Sequence, residues 1–241
     1  GTLKDVTKKL GIKKQLSDHN LEDVYESMKE KLQSEYDCKT EACLLKKNLL
    51  SSQKKKKLYR PPLPKDVIED EKAWLSNFDI DGVMRQFEKA YPNFEYFEAT
   101  PIDFDKCSVN NDLCKITLAE LKKKKKDKVG IIFNTDDSSG SGKHWIALYV
   151  DMNGQNSNGK PGMYYVDSFA NEMPREIKEL TQKFMEESQA VLGNKFTLSH
   201  NAKSFQRNNY ACGYYCMHFI EEMLKGLPFS QYKEKHPTDE D

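Results

Sequence analysis

An α+β fold, with a central mixed β-sheet flanked by helices, follows from three observations on the sequence. Runs rich in β-branched and aromatic residues fall together at 129–134, 144–152 and 163–167. Amphipathic helical patterns lie on both sides of these runs without alternating regularly with them, which argues against a doubly wound α/β sheet. A Lys-rich and Pro-rich connector then sets an N-terminal helical arm apart from the rest.

Taken in order, residues 18–34 place Leu21, Val24, Tyr25, Met28 and Leu32 at helical spacing behind Asp18, a candidate cap. The pattern ends at Ser51-Ser52-Gln53, the lysine run 54–57 and Arg60-Pro61-Pro62-Leu63-Pro64, which breaks a helix and stiffens a connector. The expected organisation is a helical arm domain over 1–65 and a core domain over 66–241. Within the core, Phe78, Ile80, Val83, Met84 and Phe87 predict a helix over 79–90, ended by Tyr91-Pro92. A short strand is expected at 94–97, ahead of the three clearer ones. Residues 174–192 read as an amphipathic helix beginning at Pro174, and 212–225 as a second one whose aromatic content marks it as buried.

Hydrophobic residues make up 37% and charged residues 32%, so the surface must be strongly ionic. Lys+Arg and Asp+Glu balance at 38 each, which leaves no net field to draw the chain to nucleic acid or an anionic membrane. No apolar run approaches the roughly 18 residues of a membrane span, and no signal-peptide core is evident, so an intracellular setting is expected. Six widely spaced cysteines do not make a disulfide scaffold, and reduced thiols are the expectation.

Thiol catalysis needs an activated Cys, a base within hydrogen-bond reach and a group that orients the base. Cys212-Gly213 opens the apolar run 214–224 after the polar stretch Gln206-Arg207-Asn208-Asn209, so the thiol sits at a helix N-terminus, where the dipole favours thiolate. A lone cysteine in such a place is ordinarily a packed helix residue; its neighbours change that reading. Of the five histidines, His144 begins a strand just after the Gly-rich and Ser-rich loop 137–142, which the sequence marks as flexible, so the imidazole can face a cleft. His218, six residues past Cys212, points to another face of the same helix. The loop between the strands at 144–152 and 163–167 is centred near residue 156, which puts His144 opposite a position near 168 and Asp167 beside it across the ladder. Asp151 lies roughly 23 Å down the same strand, out of reach of His144. A turn role for Asp167 at the strand end is the competing reading.

Other motifs carry less. Gly140-Ser141-Gly142-Lys143 lacks the earlier Gly and the following Ser or Thr of a phosphate loop. Cys38, Cys43, Cys107 and Cys114 lack zinc-type spacing and histidine partners, so no metal and no cofactor is expected. The lysine run 122–126 has no interleaved aromatics and reads as a solvated loop. Cys216, one turn after Cys212, reads as core, with a resolving thiol as the alternative.

The ordered set His144-Trp145, Asp167 and Gln206-x5-Cys212-Gly213 resembles the adenain and SUMO-specific proteases, whose order is a permutation of the papain arrangement. Asn134-Thr135-Asp136, Gly142-Lys143-His144-Trp145, Val150-Asp151-Met152, Cys38-x4-Cys43 and Asn77-Phe78-Asp79-Ile80-Asp81 are similar to the polyprotein-processing proteases of African swine fever virus and its large-DNA-virus relatives. That group places Asn where this chain has Asp167, an exchange the orienting role allows.

The resemblance implies a cysteine endopeptidase with Cys212 as nucleophile, His144 as base, Asp167 as orienter and Gln206 on the oxyanion. It also implies that Trp145 and Trp74, the latter in Trp74-Leu75-Ser76-Asn77, line a substrate tunnel; two indoles over an extended chain would leave room only for Gly-Gly before the cut, and a core-anchor role for both is the alternative. The expected substrate is a polypeptide with a Gly-Gly motif, a viral polyprotein processed in the host cytoplasm and virion during maturation. Removal of a ubiquitin-like protein from host conjugates is the alternative, and a non-cleaving binding module is a third, disfavoured because no catalytic residue is missing. Membrane and nucleic-acid partners are not indicated.

Overall fold

The computed structural model describes residue 12, residues 21–36 and residues 72–238. The Asp18 cap, the Cys38 and Cys43 pair, the connector at 51–65 and the last three residues lie outside the described residues. The chain divides into two compact units, Gly1–Leu63 and Pro64–Asp241. In the first, helix α1 spans Leu21–Tyr36 and buries Val24 and Leu32, which lie eight residues apart and so share a face.

The second unit holds a five-stranded sheet of β1 (Phe94–Pro101), β2 (Lys128–Asn134), β3 (Trp145–Asp151), β4 (Gly162–Val166) and β5 (Thr197–His200), in that spatial order. The outer pairs, β1 with β2 and β4 with β5, run parallel, whereas β3 is antiparallel to both of its neighbours, so the sheet is mixed. Helix α2 (Asn77–Ala90) precedes the sheet. A 3₁₀ turn (Ile102–Lys106), α3 (Asn111–Lys115) and α4 (Leu118–Lys123) separate β1 from β2. Helix α5 (Arg175–Leu192) connects β4 to β5, and α6 (Cys212–Leu224) and α7 (Phe229–Tyr232) follow.

Every residue of β2, β3 and β4 is buried, because helices cover both faces of the sheet. Period-two alternation divides them. Trp145, Ala147 and Tyr149 join the core formed with Phe219 and Ile220 of α6 and Ile80 and Met84 of α2. Ile146, Leu148 and Val150 join the opposite core with Ile177 and Phe184 of α5 and Leu118 and Leu121 of α4. The helix bearing Cys212 is thereby fixed against the strand that follows His144.

Several boundaries differ from the sequence reading for local reasons. Helix α2 starts at Asn77 rather than 79 because Ser76 and Asp79 form a capping box: the Asp79 N–H donates to Ser76 Oγ, and the Ser76 N–H donates to Asp79 Oδ2 at 2.9 Å. Strand β1 continues beyond 97 to Pro101 through an irregularity in register, a proline being tolerable at an edge. The outer edge of β1 is covered from α2, whose Glu88 and Asp81 carboxylates accept from the Tyr96 and Ala99 N–H groups.

Two expectations are corrected, and the segment after 225, on which the sequence is silent, is placed. Cys107 and Cys114 form a disulfide with Cα atoms 5.3 Å apart, because the 3₁₀ turn and α3 fold back on each other; reduced thiols throughout do not hold. The lysine run is solvated over Lys122–Lys125 but is only partly a loop: Lys122 and Lys123 belong to α4, and Lys126 Nζ donates to the Phe94 carbonyl at 2.7 Å and pairs with Glu95. After residue 225 the chain returns to the core, where Phe229 and Tyr232 pack on Phe219 with ring centroids 6.0 and 5.2 Å away.

Candidate active site

His144 directly precedes β3, and the loop before it is held by buried polar groups rather than left free. Asn134 Oδ1 accepts from the Asp136 and Lys143 N–H groups at 2.9 and 3.0 Å, while the Asp136 carboxylate accepts from the Gly142 N–H and from Lys143 Nζ. Asp103 holds the far end of the loop through the Ser138 N–H and hydroxyl, both at 2.8 Å. Gly140 is required there, since a Cβ would stand 2.1 Å from Asp136 Oδ2. The flexible lip expected from the glycines is therefore corrected: Gly140 serves close approach to a carboxylate, Gly142 takes a left-handed φ of 93° beside Asn134, and the Thr135 N–H closes the loop on the His144 carbonyl at 2.8 Å.

Asp167 follows the last residue of β4. The β3–β4 register pairs Ala147 with Val166, which brings the start of one strand beside the end of the other. His144 Nε2 lies 2.7 Å from Asp167 Oδ1, and since a carboxylate only accepts, Nε2 carries the proton and Nδ1 is left for the remaining partner. Cys212 is the other group that acts on the ring, favouring its protonated form together with Asp167. Burial by itself pulls the His144 pKa down. The hydrogen bonds to Asp167 and Cys212, together with their negative charges, outweigh it and push it up to about 9.

Cys212 is the first residue of α6 and only 2% exposed. As a first-turn residue it has a backbone N–H without an intrahelical acceptor, which points out of the helix and forms part of the positive end of its dipole. The turn before it is organised by Asn208 Oδ1, which accepts from the Tyr210 and Ala211 N–H groups at 3.0 and 2.9 Å. Cys216 lies one turn on in the core, and burial, then the charges of Cys212 and Asp167, push its thiol well above the usual range, leaving a neutral packing group.

Gln206 is buried in the loop ahead of α6, with its side-chain nitrogen donating to the Asn208 carbonyl at 2.9 Å. Trp145 is buried beside Gly213, and its indole N–H donates to the Leu75 carbonyl at 3.0 Å. A Cβ on Gly213 would meet Leu75 at 3.2 Å and Trp145 at 3.4 Å, so the residue next to the thiol has to be glycine or displace that wall. Trp74 is 44% exposed on the segment that carries Leu75. His144 thus meets Asp167 and Cys212, Trp145 lies beside Gly213, Gln206 is tied to Ser168, the neighbour of Asp167, and Trp74 is exposed.

Three supporting residues were not anticipated. Asn201 is buried and clamps Asp167 by its backbone, accepting from the Asp167 N–H at 3.1 Å and donating to its carbonyl at 2.6 Å. Phe169 donates its N–H to Asp167 Oδ1 at 2.8 Å and lays its ring 5.0 Å from the imidazole. Ser168 binds Gln206. The only signal for Ser168 and Phe169 was adjacency to Asp167, and Asn201 follows the short strand β5, whose four residues give no alternation to read. Asp151, excluded on distance, instead accepts from the Asn153, Gly154 and Asn156 N–H groups and caps the hairpin turn. Among the described residues, no three His, Cys, Asp or Glu side chains are grouped to hold a metal.

A base held between a buried carboxylate and a thiol at a helix N-terminus is the geometry of a cysteine peptidase. Residues 83–239 match the Ulp1 protease family, C-terminal catalytic domain. The chain belongs to that family. Its domain is accordingly that of a cysteine peptidase, a hydrolase. It is 36% identical over 156 residues to a protein of Acanthamoeba polyphaga mimivirus that bears a thiol protease name, covering 65% of this chain and 49% of that one. It is 26% identical over 178 residues to the SUMO-1 cysteine protease of African swine fever virus, covering 69% of this chain and 64% of the relative. The chain thus spans about half the length of the mimivirus relative and just under two thirds of the swine fever one. The crystal structure of the African swine fever virus protease shares its fold, with a TM-score of 0.62 at 19% identity over 95% of this chain and 88% of the other. The α+β class and the likeness to SUMO-type and large-DNA-virus proteases expected from the sequence are both borne out.

Proposed function

We propose that this chain is a cysteine endopeptidase that cuts after Gly-Gly, and that its substrates are structural polyproteins. The observation that carries the chemistry is His144 between Asp167 and Cys212. The Cys212 thiolate attacks the scissile carbonyl carbon, and the carbonyl π electrons move onto oxygen. The oxyanion is met by the Cys212 backbone N–H and the Gln206 amide. Its collapse re-forms the carbonyl and expels the amine, which takes the proton of the His144 imidazolium; Asp167 keeps the ring in place. Water then adds to the thioester as His144 accepts a proton, and the thiolate departs from the released acid.

If Gln206 supplies one oxyanion donor, Gln206→Ala is expected to lower kcat by roughly 10²-fold or more, with little change in KM. An unchanged rate at saturating peptide removes Gln206 from the site.

Glycine specificity is supported by crowding. Cys212 is almost fully buried and the residue after it is packed against Leu75 and Trp145, so an approaching chain must bring its backbone close to reach the sulfur, which favours residues without a Cβ. In peptides varied at the two residues before the cut, Gly-Gly is expected to be cleaved about tenfold or more faster than Ala-Gly or Gly-Ala, as a misplacement of the scissile carbonyl would require. Equal rates would end this reading. The printed name of the swine fever relative, a SUMO-1 cysteine protease, supports a second reading, removal of a ubiquitin-like protein. Presenting a tagged polyprotein segment in parallel with a ubiquitin-like protein bearing a C-terminal electrophile separates the two.

A further inference from the structure

We propose that Ser168 is a positioning residue for the oxyanion site, setting the orientation of the Gln206 amide through its hydroxyl. This rests on the assignment of Gln206 to that site. Both side chains are buried, at 2% and 3% exposure, so neither polar group has water to turn to. Ser168 Oγ lies 2.5 Å from Gln206 Oε1, and Gln206 Nε2 lies 2.9 Å from the Asn208 carbonyl.

The direction of each bond follows from the acceptors. A backbone carbonyl cannot donate, so the amide end that faces Asn208 is the NH₂ group. The end that faces Ser168 is then the carbonyl, and Ser168 is the donor. An amide turned by 180° would set two oxygens against each other at Asn208, and the Ser168 hydroxyl is what rewards the correct face. One N–H is thereby spent on the Asn208 carbonyl; the same nitrogen lies a longer 3.4 Å from Asn208 Oδ1, the weaker contact that an oxyanion would displace. The Asp167-Ser168-Phe169 segment thus serves two parts of the reaction. Asp167 orients the base, and the next residue orients the oxyanion donor 38 positions away in sequence.

The hydroxyl can be removed without losing the local fold. The Ser168 carbonyl accepts from the Phe205 N–H at 3.0 Å, the Gln206 N–H at 3.1 Å and Ser204 Oγ at 3.1 Å, and all three contacts survive in Ser168→Ala. What remains is a buried Gln206 carbonyl without a donor and an amide held at its NH₂ end alone, by Asn208.

The test is a double-mutant cycle on hydrolysis of a fluorogenic Gly-Gly peptide, run beside iodoacetamide alkylation of Cys212, which forms no oxyanion, and ¹⁵N spectra of the Gln206 side-chain amide. Ser168→Ala is expected to lower kcat by about tenfold or more, below the loss from removing the donor itself. KM and the alkylation rate should stay within about twofold of the parent. Added to Gln206→Ala, it should change kcat by less than about twofold, since its effect passes through Gln206. The Gln206 amide resonances should move in Ser168→Ala and return part of the way in Ser168→Cys, a weaker donor of similar size. Losses that multiply in the double variant, or Gln206 resonances that do not move, overturn the role of Ser168 alone. Full turnover in Gln206→Ala overturns the oxyanion assignment, and a parallel fall in alkylation shows that Ser168 acts on the thiol and base instead.

Discussion

Cys212→Ala is expected to abolish peptide hydrolysis, a fall on the order of 10⁶-fold in turnover judged from nucleophile removal in other covalent hydrolases, while the thermal transition of the folded protein is retained. The second half of that expectation comes from position. Cys212 is the first residue of α6, alanine is the best helix former, and the loss of one sulfur at the head of the helix leaves the Phe219, Ile220 and Met223 contacts deeper in the core untouched. Cys216→Ala should show the reverse: turnover near that of the parent, with stability lower by about 1 kcal/mol from a small buried cavity. The two thiols are one helical turn apart, and their roles are set by surroundings. Cys212 has the imidazole beside it, whereas burial keeps Cys216 protonated. Hydrolysis and thermal melts of both variants check the assignment. An inactive, folded Cys216→Ala beside an active Cys212→Ala would transfer the nucleophile to the second position.

The parts of the site that the sequence makes legible are those in which one residue's type and its neighbours restrict its chemistry. Cys212 is marked by the polar-to-apolar change at the head of a helix, and Asp167 by counting from the centre of a hairpin, which the observed pairing of Asp151 with Gly162 bears out. The parts that stay hidden depend on long-range packing. Strand β5 has only four residues, partly or wholly exposed, so its pattern carries no alternation, yet it leads to the Asn201 that clamps Asp167. The loop at 137–142 looks mobile because glycine and serine are read as freedom, whereas the Asp103 and Asp136 carboxylates that hold it lie on other segments or are ambiguous until the loop closes. The Cys107 and Cys114 pairing is likewise a property of where the 3₁₀ turn and α3 meet. Trp145 is expected as a tunnel wall, and the structure shows its ring buried in the core with the indole N–H given to Leu75, a long-range contact that the sequence does not reveal.

Asp167→Ala is expected to reduce kcat/KM by roughly 10³ to 10⁴-fold at neutral pH, as loss of an orienting carboxylate does in related catalytic triads, and to move the alkaline limb of the pH profile downward. The sign follows from what holds the His144 proton. Burial works against the imidazolium, and the Asp167 hydrogen bond is the larger of the favourable contacts that lift the pKa to about 9. The protonated ring is the form that pairs with thiolate and supplies the leaving amine with its proton, so activity in the parent should persist through neutral pH and fall as pH rises through about 9. With the carboxylate gone and burial unchanged, His144 gives up its proton at lower pH, and the decline begins earlier. Asp167→Asn keeps an oxygen within reach of Nε2 but not the charge, so it should lie between the two in both rate and midpoint. Profiles of kcat/KM for the three proteins, with a direct NMR titration of His144, measure both quantities. If all three share one alkaline midpoint, Asp167 does not set the protonation of the base, and the limb belongs to another group.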